Sequence, residues 1–232
     1  TQEADTQAAA EAVAETTVED TQAAEQTGAV TFTDDLGREV TVDNPQRVIS
    51  LIASYADIWY LAGGIDKLVA TTNATWTYFD LPLREDIVNL GSSKELNQEQ
   101  LLACEPDFVI ASCGTDRNVE LETFFEDTGI NVAYFSVNSF DDYLRVLKIC
   151  TDITGCTDNY EEYGTKVAEE VDAALARVDD THPTVLYVRA SGKSCKVKNS
   201  EGSVLGEMLA NMGCVNIADS NESLLEQLSM EV

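Results

Sequence analysis

From Arg47 onward the chain alternates two patterns of apolar residues. Short unbroken runs, RVISLI, KLVATT, DIVNLG, DFVIAS and NVAYFS, read as buried strands. Between them lie segments with helical character: SYADIWYLAGG, NQEQLLACEP and NVELETFFEDTG. Ser54 is the expected N-cap of the first and the Gly63-Gly64 pair its stop, while Asn97 is the expected cap of the second. NATWTYFDLP is expected to be a polar loop carrying aromatics. Strands that alternate with helices predict parallel pairing in an open α/β sheet. Ahead of this unit, VTFTDDLGREVTV places Val30, Phe32, Val40 and Val42 at every second position around a DDLGR turn. That pattern predicts a β-hairpin.

After residue 138 the pattern changes. SFDDYLRVLKICTDITG has apolar side chains at Phe140, Leu144, Leu147 and Cys150. NYEEYGTKVAEEVDAALARV repeats them at Tyr163, Val167, Val171, Leu175 and Val178, a helical spacing. No strand interrupts this stretch, so it predicts a helix between two α/β lobes. The unit then restarts as strand TVLYVRAS, helix SVLGEMLANMG and strand CVNIAD, and NESLLEQLSMEV opens a further amphipathic helix. The expected domains are a tether at 1–28, an N-terminal lobe at 29–138, an inter-lobe helix at 139–180 and a partial C-terminal lobe at 181–232.

Composition adds three points. Residues 1–28 are mostly Ala, Glu, Gln and Thr, without Lys, Arg or an aromatic. Such a segment buries too little apolar surface to offset its ordering entropy, and it reads as a disordered acidic tether of roughly 30 Å span. The net charge of −28 argues against nucleic acid and anionic membrane surfaces as partners. Six cysteines without a CxxC pair, and one histidine, His182, give no ligand set for zinc or an iron–sulfur cluster. The cysteines read mostly as small buried hydrophobes, although Cys150 and Cys156 are close enough in sequence to bridge a helix end.

Ligands of open α/β sheets sit beyond the carboxyl ends of the strands. That rule selects Ser54 and Tyr55, then Trp76 and Tyr78, then Ser93 and Lys94, then Thr115 and Arg117, and in the second lobe Arg189 and Lys193. Trp76 and Tyr78 offer flat faces for stacking. Tyr55 offers a phenolic oxygen that can ligate haem iron or simply line the cleft. Arg117, Arg189 and Lys193 offer positive charge to an anion. His182 receives no ligand role. Glu99 stands in the first turn of its helix, where an acid also favours the helix dipole.

The stretches TFTDDLGREVTVDNPQRVISLIASYADIWYLAGGIDKLVATT, NLGSSKELNQEQLLACEPDFVIAS and SVLGEMLANMGCVNIAD together resemble the ferric-siderophore, haem and cobalamin substrate-binding proteins of ABC importers. The resemblance implies two Rossmann-like lobes joined by one long rigid helix, with no catalysis and no cofactor. It implies an iron(III) chelate or corrinoid held between the lobes; of these, an anionic iron chelate is the one whose charge Arg117, Arg189 and Lys193 would complement. It further implies delivery to an ABC permease dimer by an extracytoplasmic, lipid-anchored chain that is a monomer when complete. It assigns docking on the permease to the matching glutamates, Glu99 and Glu231. The family pattern continues beyond LSMEV, so the second lobe is expected to be incomplete. The alternatives are a metallocluster-dependent two-lobe enzyme and a surface adhesin or scaffold with a non-binding cleft.

Overall fold

The computed structural model describes residues 28–191 and 194–225. The segment expected to be a tether, apart from Gly28, lies outside the described residues, as do Lys193 and Glu231. The chain opens with an antiparallel hairpin of β1 (Val30–Thr33) and β2 (Glu39–Val42), with Val30 opposite Val42. There follow β3 (Val48–Ser50), α1 (Ala53–Leu61), β4 (Leu68–Thr71), α2 (Ala74–Tyr78) and β5 (Val88–Asn89). Next come α3 (Gln98–Ala103), β6 (Phe108–Ser112), α4 (Asp116–Glu120), α5 (Glu122–Thr128) and β7 (Asn131–Phe135). Strands β3 to β7 form one parallel sheet in the order β5-β4-β3-β6-β7.

Both faces of this sheet are covered, which is why its strands read as unbroken apolar runs. Val48, Phe108, Ile110, Ala133 and Phe135 face α1 and pack on Tyr55, Ile58 and Trp59. Ile49, Leu51, Val109, Ala111, Val132 and Tyr134 face the other way, onto Leu101, Leu121 and Phe125. Burying a side chain the size of Phe108 or Leu101 stabilises the fold by about 2 kcal/mol relative to leaving it in water. Asn97 caps α3 as its sequence predicts, accepting from the N–H groups of Glu99 and Gln100 at 2.8 and 3.2 Å. Ser54 does not cap α1. It lies inside the helix, and the N-cap is Ile52, which has no side-chain hydrogen bond to offer.

Two neighbouring carboxylates fasten the hairpin to the sheet: Asp35 accepts from the Ser136 N–H at 2.6 Å, and Asp34 makes the larger set of bonds. Asp34 is buried and accepts from the backbone N–H groups of Leu36 and Arg38, which closes the turn. It also accepts from Arg38 Nη2 at 2.6 Å and from the Tyr134 N–H at 3.2 Å. Arg38 lies over the Tyr134 ring, 4.7 Å from its centroid, and donates to the Val132 carbonyl. Burial by itself would push the Asp34 carboxyl up, but the bonds from Arg38 and Tyr134 outweigh it and hold the group below the usual carboxylate range.

The helix expected over 139–180 is not one element. α6 (Phe140–Thr154) ends at Gly155, whose left-handed φ of 77° suits a residue without a Cβ. The chain then restarts as α7 (Thr157–Tyr160), a π-helical turn at Glu161–Thr165 and α8 (Lys166–Leu175). α6 buries Val146, Leu147, Cys150 and Ile153 in the same core as α1, so it packs as part of the first lobe. Val167, Val171 and Leu175 on α8 are only half-buried, and Val178 beyond it is exposed. All six cysteines are free; Cys104 and Cys150 are buried, and burial pushes the Cys150 thiol up to about 12.

After α8 the sequence expectation of one strand over Thr184–Ser191 divides in two. β8 (Thr184–Val185) pairs in parallel with β11 (Val215–Asn216), whereas β9 (Tyr187–Ser191) pairs antiparallel with β10 (Ser194–Lys198). The change of partner at Leu186 breaks the strand. α9 (Val204–Asn211) is capped by Ser203 and leads into β11. Leu186, Val188, Leu205, Met208 and Val215 are exposed here. The whole is an α/β fold.

The Asp34 clasp has a measurable consequence. Asp34→Ala should destabilise the protein by about 3 kcal/mol, because it removes the shorter of the two ion pairs of Arg38 and leaves the Tyr134 N–H unmet. The carboxyl is depressed in the folded state, so its contribution is present above the unfolded carboxylate pKa and lost as pH falls through the folded value. Urea unfolding at pH 7 and at pH 3 reads both effects. A loss below about 1 kcal/mol at pH 7 would reduce the clasp to an ordinary surface pair.

Candidate functional site

The strand order reverses direction between β3 and β6: the chain leaves β3 toward β4, and leaves β6 toward β7. Loops that depart to opposite sides leave a crevice at the carboxyl ends of that strand pair. A cavity of about 510 Å³ occupies this place, within the range of small-molecule sites. Its floor is the start of α1, with Ile52, Ser54, Tyr55, Asp57 and Ile58. Ser112 and Thr115 close one side after β6, and Val137, Ser139, Phe140 and Tyr143 the other. Val204 of α9 completes the rim.

Local sequence explains how the aromatic wall is held. Ser139 caps α6 by accepting from the Asp142 N–H at 2.9 Å, and the Asp142 carboxylate accepts from the Ser139 N–H at 3.1 Å. This reciprocal box fixes where α6 begins. Phe140 and Tyr143 are then three residues apart on one helical face, and their rings stack with centroids 5.8 Å apart. The Tyr143 hydroxyl donates to the Tyr163 carbonyl at 2.8 Å, which ties the wall to the π-helical turn. Glu207 of α9 accepts from the Phe140 N–H at 2.9 Å, so the second lobe also touches the cavity mouth.

Of the residues selected from sequence, Ser54, Tyr55 and Thr115 line this cavity. Tyr55 is buried, its hydroxyl donates to the Phe135 carbonyl at 3.0 Å, and burial pushes its phenol up. In this structure the phenolic oxygen is engaged with the backbone, and the side chain forms part of the cavity wall. Trp76 and Tyr78 stand on α2, not in a loop, and both are exposed, Tyr78 at 79%. They follow β4 and so share the carboxyl edge of the sheet with the cavity, but they do not line it. Ser93 and Lys94 follow β5 farther along the same edge; Ser93 accepts from Asn118 through its carbonyl and Lys94 is exposed. Arg117 points away from the cavity. It donates twice to the Leu96 carbonyl, at 2.9 and 3.3 Å, and pairs with Glu120 at 3.2 Å. Arg117 and the exposed Glu99 border one shallow depression beside the start of α3. Arg189 is exposed on β9, in register with Lys196 of β10.

Sequence reasoning missed Phe140, Tyr143 and Asp57. The first two sit on an amphipathic helix, where an aromatic reads as core. Asp57 carried a signal: it is the one charged residue in ASYADIWYL, an otherwise apolar helix. Burial pushes its carboxyl up. Among the described residues no group of three His, Cys, Asp or Glu side chains is placed to hold a metal ion.

The raised Asp57 carboxyl predicts a pH signature. A carboxyl that binds its proton more tightly in the folded state favours folding below its unfolded pKa, and this contribution is lost as pH rises through the folded value. Asp57→Asn should therefore raise the melting temperature at pH 7, and the gain should vanish near pH 3. A gain of equal size at both pH values would mean that the carboxylate pays no desolvation cost there.

A model of the family described as periplasmic binding protein matches residues 48–232. A vitamin B12-binding protein of Vibrio campbellii is 30% identical over 142 residues, a match that takes in 60% of this chain and 48% of that protein. The chain thus spans about half the length of that curated relative. A possible iron-binding, periplasmic solute-binding protein of Staphylococcus epidermidis superposes with a TM-score of 0.64 at 19% identity, covering 81% of this chain and 72% of the other. A periplasmic haem-binding protein of Roseiflexus sp. RS-1 does so with a TM-score of 0.63 at 22% identity, covering 79% and 70%. At such identities the superpositions speak for the fold, while the match over residues 48–232 assigns the lineage: the chain belongs to the periplasmic binding protein family.

Proposed function

We propose that the protein is the extracytoplasmic substrate-binding component of an ABC importer. It captures an iron(III) chelate, haem or a corrinoid and passes it to a permease dimer, without catalysis. The observation that carries this reading is the cavity at the β3–β6 reversal, walled by Tyr55, Phe140 and Tyr143. Flat macrocycles and chelates with aromatic arms bury large apolar faces against such walls. The names of the relatives, which span vitamin B12, iron and haem, support the same ligand range. The composition of residues 1–28 supports a tether to a lipid anchor, and among the described residues no helix is long and apolar enough to cross a membrane. A metallocluster-dependent enzyme would need clustered ligands, and no observation favours that alternative.

The same reading gives Glu99 a task. It is exposed at the first turn of α3, on the lobe surface, and the first lobe would meet one half of the permease through it, with Glu231 serving the second lobe. Rim carboxylates of this kind mostly steer and register an encounter.

Two experiments test the proposal. Titration of the protein with haem, cobalamin and ferric siderophores should find one tight ligand, and Phe140→Ala and Tyr143→Ala should each weaken it about tenfold or more while the fold is kept. Unchanged affinity in both variants would remove the cavity from consideration. In transport assays, Glu99→Ala should lower uptake and leave ligand affinity intact. Normal uptake with a slightly lower melting temperature would assign Glu99 to its helix terminus alone.

A further inference from the structure

The polar groups of the cavity are unevenly matched. Asp57 is its one charged lining residue among those described. No hydrogen bond or ion pair to its carboxylate is found among the described residues, and desolvation is the sole cause of its shift. The neighbouring phenols are committed elsewhere: Tyr55 donates to the Phe135 carbonyl and Tyr143 to the Tyr163 carbonyl. The cations of the surrounding elements are committed as well. Arg117 holds Glu120 and the Leu96 carbonyl, Arg145 holds Asp35 at 2.9 Å, and Lys148 holds Asp152. A half-buried carboxylate facing an apolar cavity, with its proton donors spoken for, is an acceptor that waits for a donor.

We propose that Asp57 sets the charge preference of this cavity: its carboxylate accepts a hydrogen bond from an uncharged or cationic ligand rich in amide or hydroxyl donors, and it repels polyanionic ligands. The inference rests on the reading of the cavity as the ligand site. It reverses the preference for an anionic chelate that the chain's basic residues suggest in sequence. Arg117 and Arg189 do not line the cavity, and Asp57 does. A ligand carboxylate or catecholate placed against Asp57 would meet a like charge in a partly desolvated setting, where repulsion is screened less than in water. An N–H or O–H donor in the same place would form a charge-assisted bond.

The test uses two probes of different charge: cyanocobalamin, uncharged overall and rich in amides, and the trianionic ferric complex of enterobactin. Isothermal titration at pH 7 is run on the wild type, Asp57→Asn and Phe140→Ala, each checked for an intact fold by circular dichroism. The wild type should prefer cyanocobalamin. Asp57→Asn should weaken cyanocobalamin about tenfold and strengthen the ferric chelate by a similar factor. A wild type that prefers the trianion, or an Asp57→Asn variant with unchanged selectivity, overturns the charge preference. If Phe140→Ala still weakens binding in that case, the cavity reading stands and only the role of Asp57 falls. If Phe140→Ala leaves the binding of a bound probe untouched, the cavity reading falls and the charge preference with it; if neither probe binds any variant, the charge preference falls.

Discussion

Five parallel strands in the order β5-β4-β3-β6-β7 impose the constraint on which the rest of this molecule depends. Parallel strands need crossovers, and the crossovers here leave β3 and β6 in opposite directions. Two neighbouring strands then end side by side with nothing bridging their carboxyl ends. The backbone makes a crevice there whatever side chains it carries. What this sequence adds is the lining: the start of α1 from below, and the first turn of α6 from the side.

The placement of α6 decides whether that crevice becomes a walled cavity. The helix contributes Val146, Leu147, Cys150 and Ile153 to the core that α1 also fills. It is therefore anchored along its length by apolar burial and at its start by the Ser139–Asp142 box. Gly155 ends it before it can run on as a long connector. The hairpin buttresses the same face, since Phe32 stacks on Phe135 with centroids 5.9 Å apart and Phe135 carries the carbonyl that holds Tyr55. Asp34, fixing the hairpin to β7, thus acts on the cavity through two layers of packing.

Charge behaves differently from apolar packing in this protein. With a net charge of −28, acids are plentiful, and the structure shows Arg38, Arg84, Arg117, Arg145, Lys148 and Lys166 each paired with one. A basic residue placed in sequence after a strand is consequently a poor guide to ligand charge. A lone acid on an apolar helix is a better one, because nothing local explains its presence.

The sequence by itself determined the strands Val48–Ser50, Leu68–Thr71, Phe108–Ser112 and Asn131–Phe135, because two-sided burial demands unbroken apolar runs. It determined the cap at Asn97, and the edge of the sheet where ligand-facing residues must lie. All of these depend on neighbours along the chain. It did not determine which aromatics face the cavity: Trp76 and Tyr78 were conspicuous as aromatics in a polar stretch, while Phe140 and Tyr143 were hidden in a helical stripe that looked like ordinary core. Nor did it show that Arg117 turns back to Leu96, that Tyr55 spends its hydroxyl on Phe135, or that one strand over 184–191 changes partner at Leu186. Those outcomes were decided by tertiary structure. A side chain's hydrogen-bond partner lies tens of residues away, and a strand's register depends on which segment arrives beside it. Neither is encoded in the local period of apolar residues.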